Sequence, residues 1–138
     1  MQLTTTSPPA NLVIAAQPSG TPLVSEYVYP SGAAGDISPD FDASGVPVNP
    51  PPATQAIDAG VYTQYAAFGF VAAGNSPAGI PIQWYTDGVL QYSDVLSVGD
   101  YTNEGEAFFG VNEWTAGTHT IYAIIGGVKT NTVTVTAS

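Results

Sequence analysis

The chain has no cysteine, no arginine and a single lysine, Lys129, in 138 residues. Without cysteine there is no disulfide framework, no thiolate metal site and no thiol nucleophile. Without basic side chains a nucleic-acid backbone has nothing to grip, because phosphates are held chiefly by Lys and Arg. Charged residues make up only 9%, and 11 acids against one Lys give a net charge of −10 and a pI near 4.1. No apolar run approaches the ~18 residues that would cross a bilayer as a helix. Residues 1–9 carry neither a basic stretch nor a continuous apolar one, so they do not read as a secretory signal peptide. The one histidine, His119, is accompanied by no Gly-x-Ser-x-Gly elbow.

What remains is apolar and punctuated. Hydrophobic residues reach 44% and aromatics 11%, enough for one core, since a domain of this size buries roughly 70% of its unfolded surface. Twelve Pro and 15 Gly break the chain into short segments, and none has a helical period. Residues 10–17 read as an opening strand, and Val24, Tyr27, Val28 and Tyr29 as a short one. From there to Thr54 the run of Pro, Gly and Asp predicts an extended loop with a contact role. Val61 to Ala73 is apolar on both faces, as a central strand requires. Ile80, Ile82 and Trp84 alternate, and Asp87-Gly88 supplies a hairpin turn before Val89-Leu90-Gln91-Tyr92. Ala107, Phe109 and Val111 share a face, as do His119, Ile121, Ala123 and Ile125. Gly126-Gly127 turns the chain into a last strand with Val133 and Val135 inward. The prediction is an all-β, immunoglobulin-like β-sandwich of about seven strands. Residues 1–8 form an N-terminal arm, 9–138 the sandwich, and 19–56 an inserted extended arm or loop.

Several stretches carry a family resemblance. They are Pro9-Ala10-Asn11-Leu12-Val13-Ile14, Asp58-Ala59-Gly60, Phe70 to Asn75, Gln83-Trp84-Tyr85-Thr86-Asp87-Gly88, Leu96 to Asp100, Ala116 to Ala123 and Thr130-Asn131. In that order they resemble the CARDB domain (cell-adhesion-related domain found in bacteria) over residues 9–18 and 57–137. The resemblance implies an immunoglobulin-like sandwich and a non-enzymatic module of adhesins, cell-envelope proteins or secreted enzymes. Related sandwiches sit on phage capsids and tails. It carries over no catalytic residue.

Few residues are candidates for chemistry. His119, at the start of a strand on its inward side, reads as a side chain that hydrogen-bonds a nearby loop. Asp36, Asp40 and Asp42 suit a Ca²⁺ loop in composition but lack the spacing of an EF-hand, and read as turn formers. Glu104 and Glu106, with Glu113, read as an exposed acidic stripe and not as a glycosidase pair. Trp84 reads as core. The residues expected at an interface are Leu3, Tyr27, Tyr29, Phe41, Val46, Val48, Tyr85, Tyr92 and Trp114, because exposed aromatics anchor contacts. No catalytic residue, cofactor or metal ligand is assigned.

Natural sheets protect their edges with charge, above all Lys, and this chain has one. Its edges are therefore expected to be covered by the 19–56 arm or by other molecules. The function expected is a non-enzymatic virion protein, a capsid decoration or cement protein on the capsid exterior. Its partners would be the major capsid protein and copies of itself, a homotrimer being one arrangement, with no nucleic acid or membrane. The alternative is a secreted or cell-surface adhesion or carbohydrate-binding module.

Overall fold

The computed structural model describes residues 22–31 and 39–138. The expected N-terminal arm (1–8), the strand at 10–17, Leu3 and Asp36 lie outside the described residues. The described chain is all-β, with ten strands in two sheets and no helix among the described residues. In chain order the strands are β1 (Leu23–Ser31), β2 (Thr54–Ile57), β3 (Thr63–Val71), β4 (Pro81–Thr86), β5 (Val89–Val95), β6 (Ser97–Val98), β7 (Glu104–Val111), β8 (Gly117–Ile125), β9 (Val128–Lys129) and β10 (Val133–Ala137). One sheet runs β2-β10-β8-β4-β5, with β9 also on β8, and the other β1-β3-β7-β6. Neighbours are antiparallel except β2, which runs parallel to β10. Seven of the ten fall on segments expected as strands; β2, β6 and β9, of four, two and two residues, do not. Strands that short leave little alternation to read.

The inner faces meet as the alternation demands. Tyr65, Ala67 and Val71 of β3 pack on Ile82 and Trp84 of β4, Ile121, Ala123 and Ile125 of β8, and Val133 and Val135 of β10. Trp84 is fully buried, as expected. Asp87 and Gly88 take φ of 51° and 76°, the turn conformation that places β5 beside β4. Leu96 crosses between the sheets, linking β5 to β6, and is itself buried.

The segment expected as an inserted arm differs from that picture. β1 is nine residues long and pairs with β3 along its whole length, from Leu23↔Val71 to Ser31↔Gln64. Val28 therefore enters the core, while Tyr27 and Tyr29 face outward under a second apolar cluster. That cluster sits on the outer face of β1 and β3, and Phe41 from the 39–49 loop closes it against Tyr29, Phe68 and Phe70. The loop folds down because it buries an aromatic ring, a gain of roughly 2–3 kcal/mol. Proline and glycine content alone cannot register that. Asp42 sets the turn: its Oδ1 accepts the N–H groups of Ser44 (2.8 Å) and Val46 (3.0 Å).

Candidate functional site

The fold assembles three groups of side chains. The first is at the β4–β5 turn. Asp87 Oδ1 accepts the Thr120 N–H (2.9 Å), and Asp87 Oδ2 lies 2.8 Å from His119 Nδ1. His119 Nε2 lies 2.7 Å from the Thr115 carbonyl oxygen and 3.3 Å from the Thr115 hydroxyl. Both ring nitrogens thus face acceptors, which favours the imidazolium with both protons in place. The bond to Asp87, then that to Thr115, raises the His119 pKa. For Asp87, desolvation acts upward but is outweighed by the bonds from His119 and Thr120, and its pKa is lowered. A Thr-His-Asp arrangement resembles a nucleophile, base and orienter in outline. A base, however, needs a free lone pair on Nε2, and that nitrogen's proton is committed to a backbone carbonyl. His119 pins the turn to β8, in agreement with the loop contact expected from sequence.

The second group is a cavity of about 260 Å³ on the outer face of the β1-β3-β7-β6 sheet, lined by Pro39, Asp40, Phe41, Phe68, Asp100, Tyr101, Glu104 and Glu106. Register places it: Glu104 lies opposite Phe70 and Glu106 opposite Phe68. The Tyr101 hydroxyl donates to the Phe41 carbonyl and ties the 39–49 loop to the β6–β7 turn. Glu104 Oε1 accepts the N–H groups of Asp100 (3.1 Å) and Tyr101 (3.4 Å). A Cβ on Gly99 would stand 2.7 Å from both Glu104 Oε1 and Glu106 Oε2, so a bare glycine makes room for two carboxylates. The exposed stripe expected from sequence is corrected here, since Glu104 is 4% exposed. The loops on either side of β7 cover it, and sequence alternation does not report loop cover. Burial raises the pKa of Glu104, partly countered by the N–H groups, and the Glu106 charge adds to the rise. Burial and then Asp100 do the same for Glu106. Among the described residues no three Asp, Glu or His side chains converge to hold one metal ion.

The third group is the side of the sandwich where β5 ends one sheet and the two-residue β6 ends the other beside β7. Nothing among the described residues pairs with the outer side of β5. On β7, β6 covers only Gly105 and Glu106. Val89, Leu90, Tyr92 and Val95 of β5, Val98 of β6 and Phe108 of β7 are each about half exposed. Behind them Trp84, Phe109 and Tyr92 stack in a row, with centroids 5.4 and 6.1 Å apart.

The expected interface residues scatter. Leu3 lies outside the described residues. Tyr29, Phe41 and Trp114 are buried within the chain, a correction to their expected place at an interface. Tyr29 fills the outer cluster and donates to the Asn49 carbonyl at 2.6 Å. Trp114 lies in the core with its Nε1 donating to Thr63 Oγ1. Tyr27 is half-buried on Phe41. Val46 and Val48 are exposed on the 39–49 loop. Tyr85 stacks on Tyr122 at 5.2 Å, and Lys129 Nζ covers Tyr122 from 4.4 Å, so Tyr122 is flanked by both neighbours. Only Tyr92 belongs to the open β5 edge. The rest of that edge was missed, although an apolar Val89 to Val95 with one acid and no Lys was the signal to find it by.

No family model matches the chain, and no curated protein matches it. Solved structures do. The chain is similar to the CARDB domain of a Pyrococcus furiosus protein in a crystal structure with di-metal ions, at 14% identity, 84% of this chain, 96% of that one and a TM-score of 0.50. It is also similar to a solution structure of the same domain, at 14% identity, 82% and 95% coverage and a TM-score of 0.46. The likeness shows the fold: a CARDB-like, immunoglobulin-like β-sandwich.

Proposed function

We propose that this β-sandwich is a non-enzymatic structural protein of a virion, a capsid decoration protein that acts by covering other proteins and being covered. The observation that supports the reading is the β5 edge, unpaired among the described residues, with half-exposed Val89, Leu90, Tyr92 and Val95 and neither Lys nor Arg. A strand edge that carries no Lys and is not paired within its own chain is a template for contact with another chain. Val46 and Val48 on the 39–49 loop offer a second apolar contact on another face. The partners in this reading are the major capsid protein and copies of the chain. A net charge of −10 suits the capsid exterior and opposes contact with packaged nucleic acid. The test is mass spectrometry of virions purified from a lysate of the host that encodes the chain. Fixed stoichiometry with the shell protein is the expected result, and absence from washed particles overturns the reading.

The likeness to an archaeal CARDB domain favours a second reading, a secreted or cell-surface adhesion module. Its carbohydrate-binding form would need a free aromatic platform: the ring of Tyr122 is flanked by Tyr85 and Lys129, while Tyr62, Tyr92 and Phe108 are each about half exposed.

A further inference from the structure

We infer that the 39–49 loop is a pH-dependent flap over the outer face of the β1-β3-β7-β6 sheet, closed while Glu104 and Glu106 carry protons and opening as they ionise. This holds whatever the partners of the protein are. Between Pro39 and Asn49 the chain is bonded largely to itself. Phe41 and Pro47 form a bridge, the Val48 N–H donates to the Asp40 carbonyl at 2.8 Å, and the Asp42 carboxylate takes the Ser44 and Val46 N–H groups. The sheet holds the loop through the Phe41 ring, which touches Tyr27, Tyr29, Phe68 and Phe70. Hydroxyls add to this: Ser25 donates to the Gly45 carbonyl, Tyr29 to that of Asn49 and Tyr101 to that of Phe41. No ion pair among the described residues fastens it.

Like charges lie across the seam between flap and sheet. Asp40 rides on the flap, while Asp100, Glu104 and Glu106 stay with the sheet, and all four line one cavity of about 260 Å³. An oxygen of Glu104 and an oxygen of Glu106 lie 2.7 Å from the same point beside Gly99. Asp42, also on the flap, acts on Tyr101 of the β6–β7 turn together with Asp40, Glu104 and Asp100. From β1 the titratable groups on this face are Tyr27 and Tyr29, and β3 presents Ala66, Phe68 and Phe70. The two basic side chains, His119 and Lys129, belong to the other sheet. No cation of the chain therefore stands between these carboxyl groups, and closing the flap crowds them. Burial is the first cause that holds the pKa of each glutamate up. Opening carries Asp40 away and lets water reach both glutamates, which returns their pKa values towards 4.5. The open form then binds fewer protons at a given pH, and so gains as pH rises.

The test uses single cysteines, since the chain has none. Ala66 is buried in the outer cluster and Ala107 in the inner core, while Val24 is exposed on β1. Labelling of Ala66→Cys by a disulfide reagent reads flap opening, and labelling of Ala107→Cys reads opening of the sandwich itself. Val24→Cys corrects each rate for the thiolate fraction at the working pH. From pH 5 to pH 8 the corrected rate for Ala66→Cys should rise at least fivefold more than that for Ala107→Cys. Adding Glu104→Gln and Glu106→Gln together should abolish the difference. Circular dichroism checks that each variant folds. A second readout needs no substitution: chymotryptic cleavage after Phe41, set against a free peptide of residues 39–49, tracks the open fraction. It should rise at least twofold from pH 6 to pH 8. Equal rises for Ala66→Cys and Ala107→Cys, a difference that survives the double glutamine variant, or cleavage after Phe41 that ignores pH, each overturns the inference.

Discussion

The side-chain amide of Asn131 stands where a neighbouring strand would stand beside β1. Its Oδ1 accepts the Val28 N–H at 2.7 Å and its Nδ2 donates to the Val28 carbonyl at 2.9 Å. Asn131→Ala leaves both backbone groups without these partners, and a buried group left unpaired costs about 1–3 kcal/mol. Urea unfolding of the variant should show that loss, and Asn131→Asp should not restore it, since a carboxylate cannot donate. Glu104 and His119 make the stability of the protein depend on pH in one direction. The folded pKa of Glu104 is raised above its ordinary 4.5, so the fold gains as pH falls through the raised value, and the gain is complete below 4.5. The folded pKa of His119 is raised above 6.5, so its contribution is present below 6.5 and lost as pH climbs through the raised value. Asp87, with its pKa lowered from 3.8, contributes above 3.8 and is lost in stronger acid. Thermal melts should therefore show a higher Tm at pH 5 than at pH 8. Glu104→Gln keeps an acceptor for the Asp100 and Tyr101 N–H groups, and should raise the pH 8 value towards the pH 5 one. No increase in either comparison would show that these two groups do not govern the trend.

Strands were legible wherever alternation ran for five residues or more. The inward set His119-Ile121-Ala123-Ile125 and the Val133/Val135 pair emerge from spacing alone, and Trp84 from its place between Ile82 and the Asp87-Gly88 turn. The outer cluster was not legible, because it joins residues 27, 29, 41, 68 and 70, which no local period connects. Phe41 reads in sequence as an exposed anchor on a Pro-rich arm, yet it touches Tyr27, Tyr29, Phe68 and Phe70. Phe41→Ala removes the ring that binds the 39–49 loop to the sheet, and should cost about 3–5 kcal/mol. Gly45 is a second anchor of this element: its φ is 79°, and a Cβ there would stand 2.6 Å from the Phe70 ring. Gly45→Ala should loosen the same loop. Hydrogen exchange at Asp42 N–H and Val46 N–H reads the effect, and unchanged exchange in both variants would mean that the loop is held by something else.

At the scale of the whole molecule, eleven acids and one lysine leave almost nothing attractive for salt to screen. The one ion pair among the described residues, Asp87 with His119, needs a protonated imidazole, and Lys129 sits over the Tyr122 ring. Repulsion among like charges therefore outweighs attraction, and it acts on the compact state more than on the extended chain. It concentrates where Asp40, Asp100, Glu104 and Glu106 line one cavity. In a protein with balanced charges, added salt weakens some pairs and relieves others; here the sign is fixed by composition. Raising NaCl from 10 to 300 mM shortens the Debye length from about 30 Å to below 8 Å, and at pH 8 should raise the Tm. The gain should shrink at pH 5, since burial raises the pKa of Glu104 and Glu106 and favours their protonated forms as pH falls, and shrink again in Glu104→Gln. Melts run at one dilute chain concentration keep self-association from supplying the stabilisation. A Tm that falls with salt at pH 8 would mean that an attractive pair outweighs a net charge of −10.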